Sequence, residues 1–138
     1  MSAGYDILDV IFCDDIRQEV NGKMMLIGVY PQNVATKSVP ATFGLSIWIR
    51  LRHLAQGKHT FKAIIQDPDG DTAEATGEIL VSRESIPSVI ALPAVRKRVQ
   101  HWGDFILKLA IDDEDPKEVA RLPYEQTAPA PPKASTPV

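Results

Sequence analysis

The chain has 138 residues, 44% of them hydrophobic and 24% charged, with a formal net charge of −3 at pH 7. That length sets one domain as the expectation, in the composition range of ordinary globular proteins. No apolar run exceeds about five residues, against the ~20 that a spanning helix needs, which argues against a membrane protein, and the slight acidity gives no electrostatic reason to expect nucleic acid.

The first fifteen residues hold no basic segment, apolar stretch or small-residue cleavage site, and the single cysteine, Cys13, has no partner for an internal disulfide. Both features set a cytoplasmic location as the expectation. Ile7–Cys13 is the first strand candidate. Alternation breaks at Asp14-Asp15, where a bulge or short irregular turn is expected. Asn21-Gly22 is the preferred pair for a two-residue type I′ hairpin, because both of its central positions need positive φ. Strict pairing about that turn places Arg17 near Leu26 and Ile16 near Ile27 as the chain returns along Lys23–Tyr30. Gly28 in that returning strand permits a bulge or a close backbone approach.

The clearest period of two runs from Phe43 to Leu51. Phe43, Leu45, Ile47, Ile49 and Leu51 share one face and should be buried, while Trp48 and Arg50 lie on the other. His59, Phe61, Ala63 and Ile65 repeat the pattern, as do Phe105, Leu107, Leu109 and Ile111 within Gly103–Ile111. Asp67-Pro68-Asp69-Gly70 reads as a type I turn leading into a strand over Thr72–Val81. Ser88–Leu92 and Glu118–Tyr124 complete the candidates, and Pro40, Pro87 and Pro116 stand just before strands, where a missing amide costs little. No window of helical length carries an apolar stripe. About eight short strands separated by turns make an all-β fold, an antiparallel β-sandwich of Ig-like or C2-like type, over residues 1–126. The remaining stretch, Thr127–Val138, is rich in proline and alanine and is expected to be a disordered tail.

Three acidic groups sit at strand ends: Asp14-Asp15, Asp67/Asp69/Asp71 and Asp112 to Asp115. Asp67, Asp69, Asp112 and Asp113 are weak candidates for oxygen ligands of Ca²⁺, if their loops meet. The structural reading is preferred, because aspartate is a turn residue and the EF-hand spacing is absent. His53, His59 and His101 are scattered and match no metal motif, although His53 and His59 could meet across a hairpin. Cys13 is expected to be a buried, inert thiol. The basic run Arg96-Lys97-Arg98 with Trp102 is read as a solvated edge that blocks unwanted strand pairing. No nucleophile elbow, P-loop, dinucleotide fingerprint or C-x-x-C motif occurs, so no enzyme is expected, nor any cofactor.

The stretch Cys13-Asp14-Asp15-Ile16-Arg17-Gln18-Glu19-Val20-Asn21-Gly22-Lys23, followed by Leu26-Ile27-Gly28-Val29-Tyr30, resembles the opening signature of an uncharacterised bacterial family, a domain of unknown function with the pattern CDD-x-R-x-E-x-NGK…LIGVY. The resemblance extends over roughly residues 5–124. It implies a bacterial source and supplies no activity, ligand or catalytic residue. Within the motif, Asp14, Asp15, Arg17, Glu19 and Lys23 read as a mixed-sign surface group, with recognition of a carboxylate or phosphate by Arg17 as the alternative.

The expected role is a non-enzymatic module that mediates protein interaction or assembly, with an unknown protein partner or self-association. The alternative is a small-ligand or Ca²⁺-binding sandwich that uses its acidic loops. Trp48 and Arg50 are the leading interaction candidates, since aromatic and arginine side chains are enriched at interfaces. Arg17 and Trp102 follow.

Overall fold

The computed structural model describes residues 4–128. These form nine strands: β1 (Asp6–Gln18), β2 (Met24–Val29), β3 (Val34–Thr36), β4 (Ala41–Arg52), β5 (Gly57–Gln66), β6 (Thr72–Val81), β7 (Ser88–Val99), β8 (Gly103–Ile111) and β9 (Lys117–Gln126). They build a four-stranded sheet in the order β2-β1-β4-β7 and a five-stranded sheet in the order β3-β9-β8-β5-β6. All pairings are antiparallel except β3 with β9.

The inner faces of the two sheets share one core. Leu45, Ile47, Ile49 and Leu51 of β4 meet Phe105, Leu107, Leu109 and Ile111 of β8 there. Phe43, Phe61 and Ile65 pack against it, partly buried. This is the set that alternation selects, because successive side chains leave a strand on opposite faces. At one end Phe43, Phe105 and Tyr124 interlock, with the Phe43 and Phe105 rings edge to face at 5.6 Å.

The structure revises several expectations. The ninth strand, β3, was not expected: three residues are too few to show a period, and its parallel pairing with β9 is made only in the folded chain. β1 runs without a register shift through Asp14 and Asp15, and its irregularity lies instead between Ile7 and Asp9. β7 continues past Leu92 to Val99, which makes the basic run part of a strand.

The first hairpin is also one residue out of the expected register, with Arg17 opposite Met25 and Ile16 opposite Leu26. Gly22 has φ of 89°, whereas Asn21 does not enter the positive-φ region. A type I′ turn is therefore not formed. Gly22 N–H donates to Glu19 O at 3.0 Å and Glu19 N–H to Lys23 O at 2.7 Å, the pattern of a type I turn closed by a glycine bulge. The Asp67–Asp71 loop uses the same design, with Gly70 N–H bonded to Asp67 O at 2.9 Å.

Of the expected tail, residues 129–138 lie outside the described residues. Thr127 donates its N–H to Thr36 O at 2.8 Å, so the ordered pairing of β9 with β3 extends to that residue.

Candidate functional site: the solvent face of the four-stranded sheet

Cross-strand partners share a face, so the registers of β1, β4 and β7 define what the outer surface of the four-stranded sheet displays. Trp48 lies between Ile11 of β1 and Ala91 of β7, and Arg50 lies between Asp9 and Val89. Trp48 and Ile11 are half-buried, while Ala91 and Val89 are exposed. The result is a short apolar band centred on an indole in the middle of a sheet.

Arginines lie on this face too, Arg50 next to the band and the others further along the strands. Arg50 directs its guanidinium to Asp9, with Nε at 3.1 Å and Nη2 at 3.0 Å from the same carboxylate oxygen. Arg52 stands 3.9 Å from Asp6, and Arg17 pairs with Asp15 at 2.8 Å further along β1. Arg96 and Arg98 lie opposite Gly44 and Thr42 of β4, on this same face. Both are exposed, and neither has an acidic partner among the described residues. The other carboxylate oxygen of Asp9, Oδ1, is buried without a hydrogen-bond partner. Trp48, Arg50 and Arg17 thus share one face. Trp102 does not, since it packs against Tyr124 at 5.0 Å beside the core.

Within Cys13–Tyr30, three residues hold the hairpin against its neighbouring strand. Gly28 has φ of 67°, and a Cβ built on it would stand 2.1 Å from Asp14 Oδ2. Tyr30 Oη donates to that carboxylate and also lies 3.3 Å from Gly44 O, while Ser46 Oγ donates to Asp14 O at 3.3 Å. Asp14, Gly28 and Tyr30 therefore tie the β1–β2 hairpin to β4. Cys13, the neighbour of Asp14, is free and fully buried, and burial pushes its thiol pKa up. A raised pKa leaves little thiolate to act as a nucleophile.

The acidic loops do not meet. Asp112 accepts the Thr60 N–H near the start of β5, whereas Asp67 follows its last residue. Roughly six residues at ~3.3 Å each separate them by about 20 Å. Asp67, Asp69 and Asp71 do gather within 4.8 Å of one another. Asp67 is only 3% exposed. Its Oδ1 accepts the N–H groups of Asp69 and Asp71, and its Oδ2 holds Lys97 at 3.0 Å. Asp69 accepts the Gln100 N–H and contacts His101 Nδ1 at 2.6 Å. Burial raises the Asp69 pKa, but these hydrogen bonds outweigh it and hold the carboxyl below its ordinary range. Asp113 is exposed.

The histidines bind three separate aspartates: His53 with Asp6, His59 with Asp112 and His101 with Asp69. His53 and His59 do not bond to each other. Sequence reasoning missed the apolar cleft of about 250 Å³ at the seam between β6 and β7, lined by Ile47, Ile65, Ala75, Leu92, Val95 and Lys97 among others. It is smaller than the roughly 300–1,000 Å³ usual for small-molecule sites. Arg96 and Arg98 were visible as a basic run, but their place on the same face as Trp48, further along β4, needed the β4–β7 register.

The chain matches the model of a family of unknown function (DUF6941) over residues 8–122, and it belongs to that family. No curated protein matches it.

Proposed function

We propose, for this member of a family without an assigned role, that the chain is a non-enzymatic module that binds another protein through the solvent face of its four-stranded sheet. The observation that carries this reading is the apolar band around Trp48 with Arg96 and Arg98, which have no acidic partner among the described residues, further along the same face. Tryptophan and arginine are the residue types that most often dominate binding energy, above all where a desolvated centre is ringed by polar groups. The matching partner surface is apolar at its centre and acidic at its rim. Asp6, Asp9 and Asp15 interrupt the arginines, and this mixed charge favours a protein over a polyphosphate backbone. A cytoplasmic place within a bacterial assembly fits the free, buried thiol of Cys13.

Capture of a partner from a bacterial lysate, followed by purification of that partner and direct titration, tests the reading. Trp48→Ala should weaken binding by at least about tenfold, as expected of a hot-spot residue. Arg98→Glu should weaken it further at low salt than at high salt. A purified partner that binds Trp48→Ala as tightly as wild type overturns the proposal.

A further inference from the structure

We propose that two copies of this chain pair antiparallel along β2, joining their four-stranded sheets edge to edge across a two-fold axis. Four strands lie at sheet edges: β2, β7, β3 and β6. An open edge is a template for another chain, and folds protect edges with charges, prolines, bulges or shortness. β7 carries Pro93 and the run Arg96-Lys97-Arg98, with a register irregularity opposite Ser46. β6 carries Glu74 and Glu78, and β3 has only three residues.

β2 has none of these charges or prolines. Its sequence is Met-Met-Leu-Ile-Gly-Val, with Met25 42%, Ile27 41% and Val29 48% exposed. The pairing of β1 with β4 ends at Cys13, whereas its pairing with β2 continues to Gln18. The hairpin tip therefore projects as a two-stranded ribbon, an arrangement that is marginal in water without a further strand. The positive φ of Gly28 confines new pairing to Met24–Ile27.

Charge complementarity selects a second copy as the partner. Lys23 stands just before one end of β2, and at the other end the Asp14 carboxylate takes the place of a Gly28 side chain. Neither forms an ion pair among the described residues. Glu19 lies across the turn from Lys23 but on the β1 side, one strand back from the edge. Antiparallel pairing about a two-fold brings the Lys23 end of each copy to the Asp14 end of the other, so both contacts form at once.

The test combines sedimentation velocity with symmetric cross-linking on the full chain. Wild type should sediment as a dimer that dissociates on dilution. Ile27→Lys, a change at a half-exposed position, should be monomeric with an unchanged circular dichroism spectrum. Lys23→Glu should raise the dimer dissociation constant about tenfold, because it sets repulsion in place of attraction at two junctions. Single cysteines introduced by Met24→Cys, Met25→Cys, Leu26→Cys and Ile27→Cys should form a disulfide with their own copy at one or two neighbouring positions under mild oxidation. Leu80→Cys on β6, where the leucine is 80% exposed, should not. Trp48→Ala should leave the dimer intact, which separates this inference from the proposed partner face. A wild type that stays monomeric into the millimolar range overturns it. So does growth beyond a dimer, or cross-linking at Leu80→Cys as efficient as in β2.

Discussion

The carboxylate of Asp14 occupies the space in which a side chain on Gly28 would stand. The built Cβ lies 2.1 Å from Oδ2 and 2.8 Å from Cγ, and the Gly28 backbone is left-handed at φ of 67°. Gly28→Ala combines a left-handed alanine with displacement of the carboxylate that Tyr30 holds. Urea unfolding should show a loss of about 2–3 kcal/mol, larger than backbone strain alone would cause. Tyr30→Phe, which removes only the hydroxyl, should cost about 1 kcal/mol.

Phe61 and Gly77 face each other across β5 and β6, and a Cβ at Gly77 would meet the phenyl ring at 2.6 Å. The φ of Gly77 is not positive, so the conflict there is steric only. Gly77→Ala should destabilise by about 1–3 kcal/mol through overpacking. In a Phe61→Leu background the same change should cost less. A double-mutant cycle of urea midpoints reads the difference directly.

Leu107 is fully buried in β8, between β5 and β9 and facing the opposite sheet. Leu107→Ala should cost about 2–5 kcal/mol as a buried truncation. A loss below about 0.5 kcal/mol would be incompatible with that burial.

The pair of His59 and Asp112 makes stability depend on pH. His59 Nδ1 lies 2.9 Å from Asp112 Oδ2 and its Nε2 lies 2.7 Å from Ala55 O, so both ring nitrogens face acceptors. The Asp112 hydrogen bond, then that to Ala55, raises the His59 pKa above 6.5. Its stabilisation is complete below 6.5 and is lost as pH rises through the raised value. The His59 hydrogen bond lowers the Asp112 pKa below 3.8, so that group's stabilisation is present above 3.8 and is lost as pH falls through the lowered value. The pair therefore contributes most between the two ordinary values. Thermal melts at pH 5.5 and pH 8 should show a higher Tm at pH 5.5 in wild type, and His59→Asn should reduce that difference.

Alternation over Phe43–Leu51 and Gly103–Ile111 was enough to identify the central strands and their buried face. A strand packed on one side must keep a strict period of two, and that period is local information. The turn at Asp67–Gly70 was legible for a similar reason, since aspartate, proline and glycine each prefer their own backbone region. At Glu19–Lys23 the residue types announced a hairpin but not its loop length. Only Gly22 takes the left-handed conformation, and that one choice shifted the register by one residue.

The tertiary structure alone decided what depends on residues far apart in the chain. β3 is too short to show a pattern, and its hydrogen bonds come from β9, some ninety residues later. The acidic loops fell at opposite ends of β5, which their residue types could not reveal. Trp48 was placed on the outer face by its own strand, but Arg96 and Arg98 joined it only through the β4–β7 register. Local alternation determines which way a side chain points; which other side chains stand beside it depends on strand order, and strand order is set by the burial of both sheets against each other.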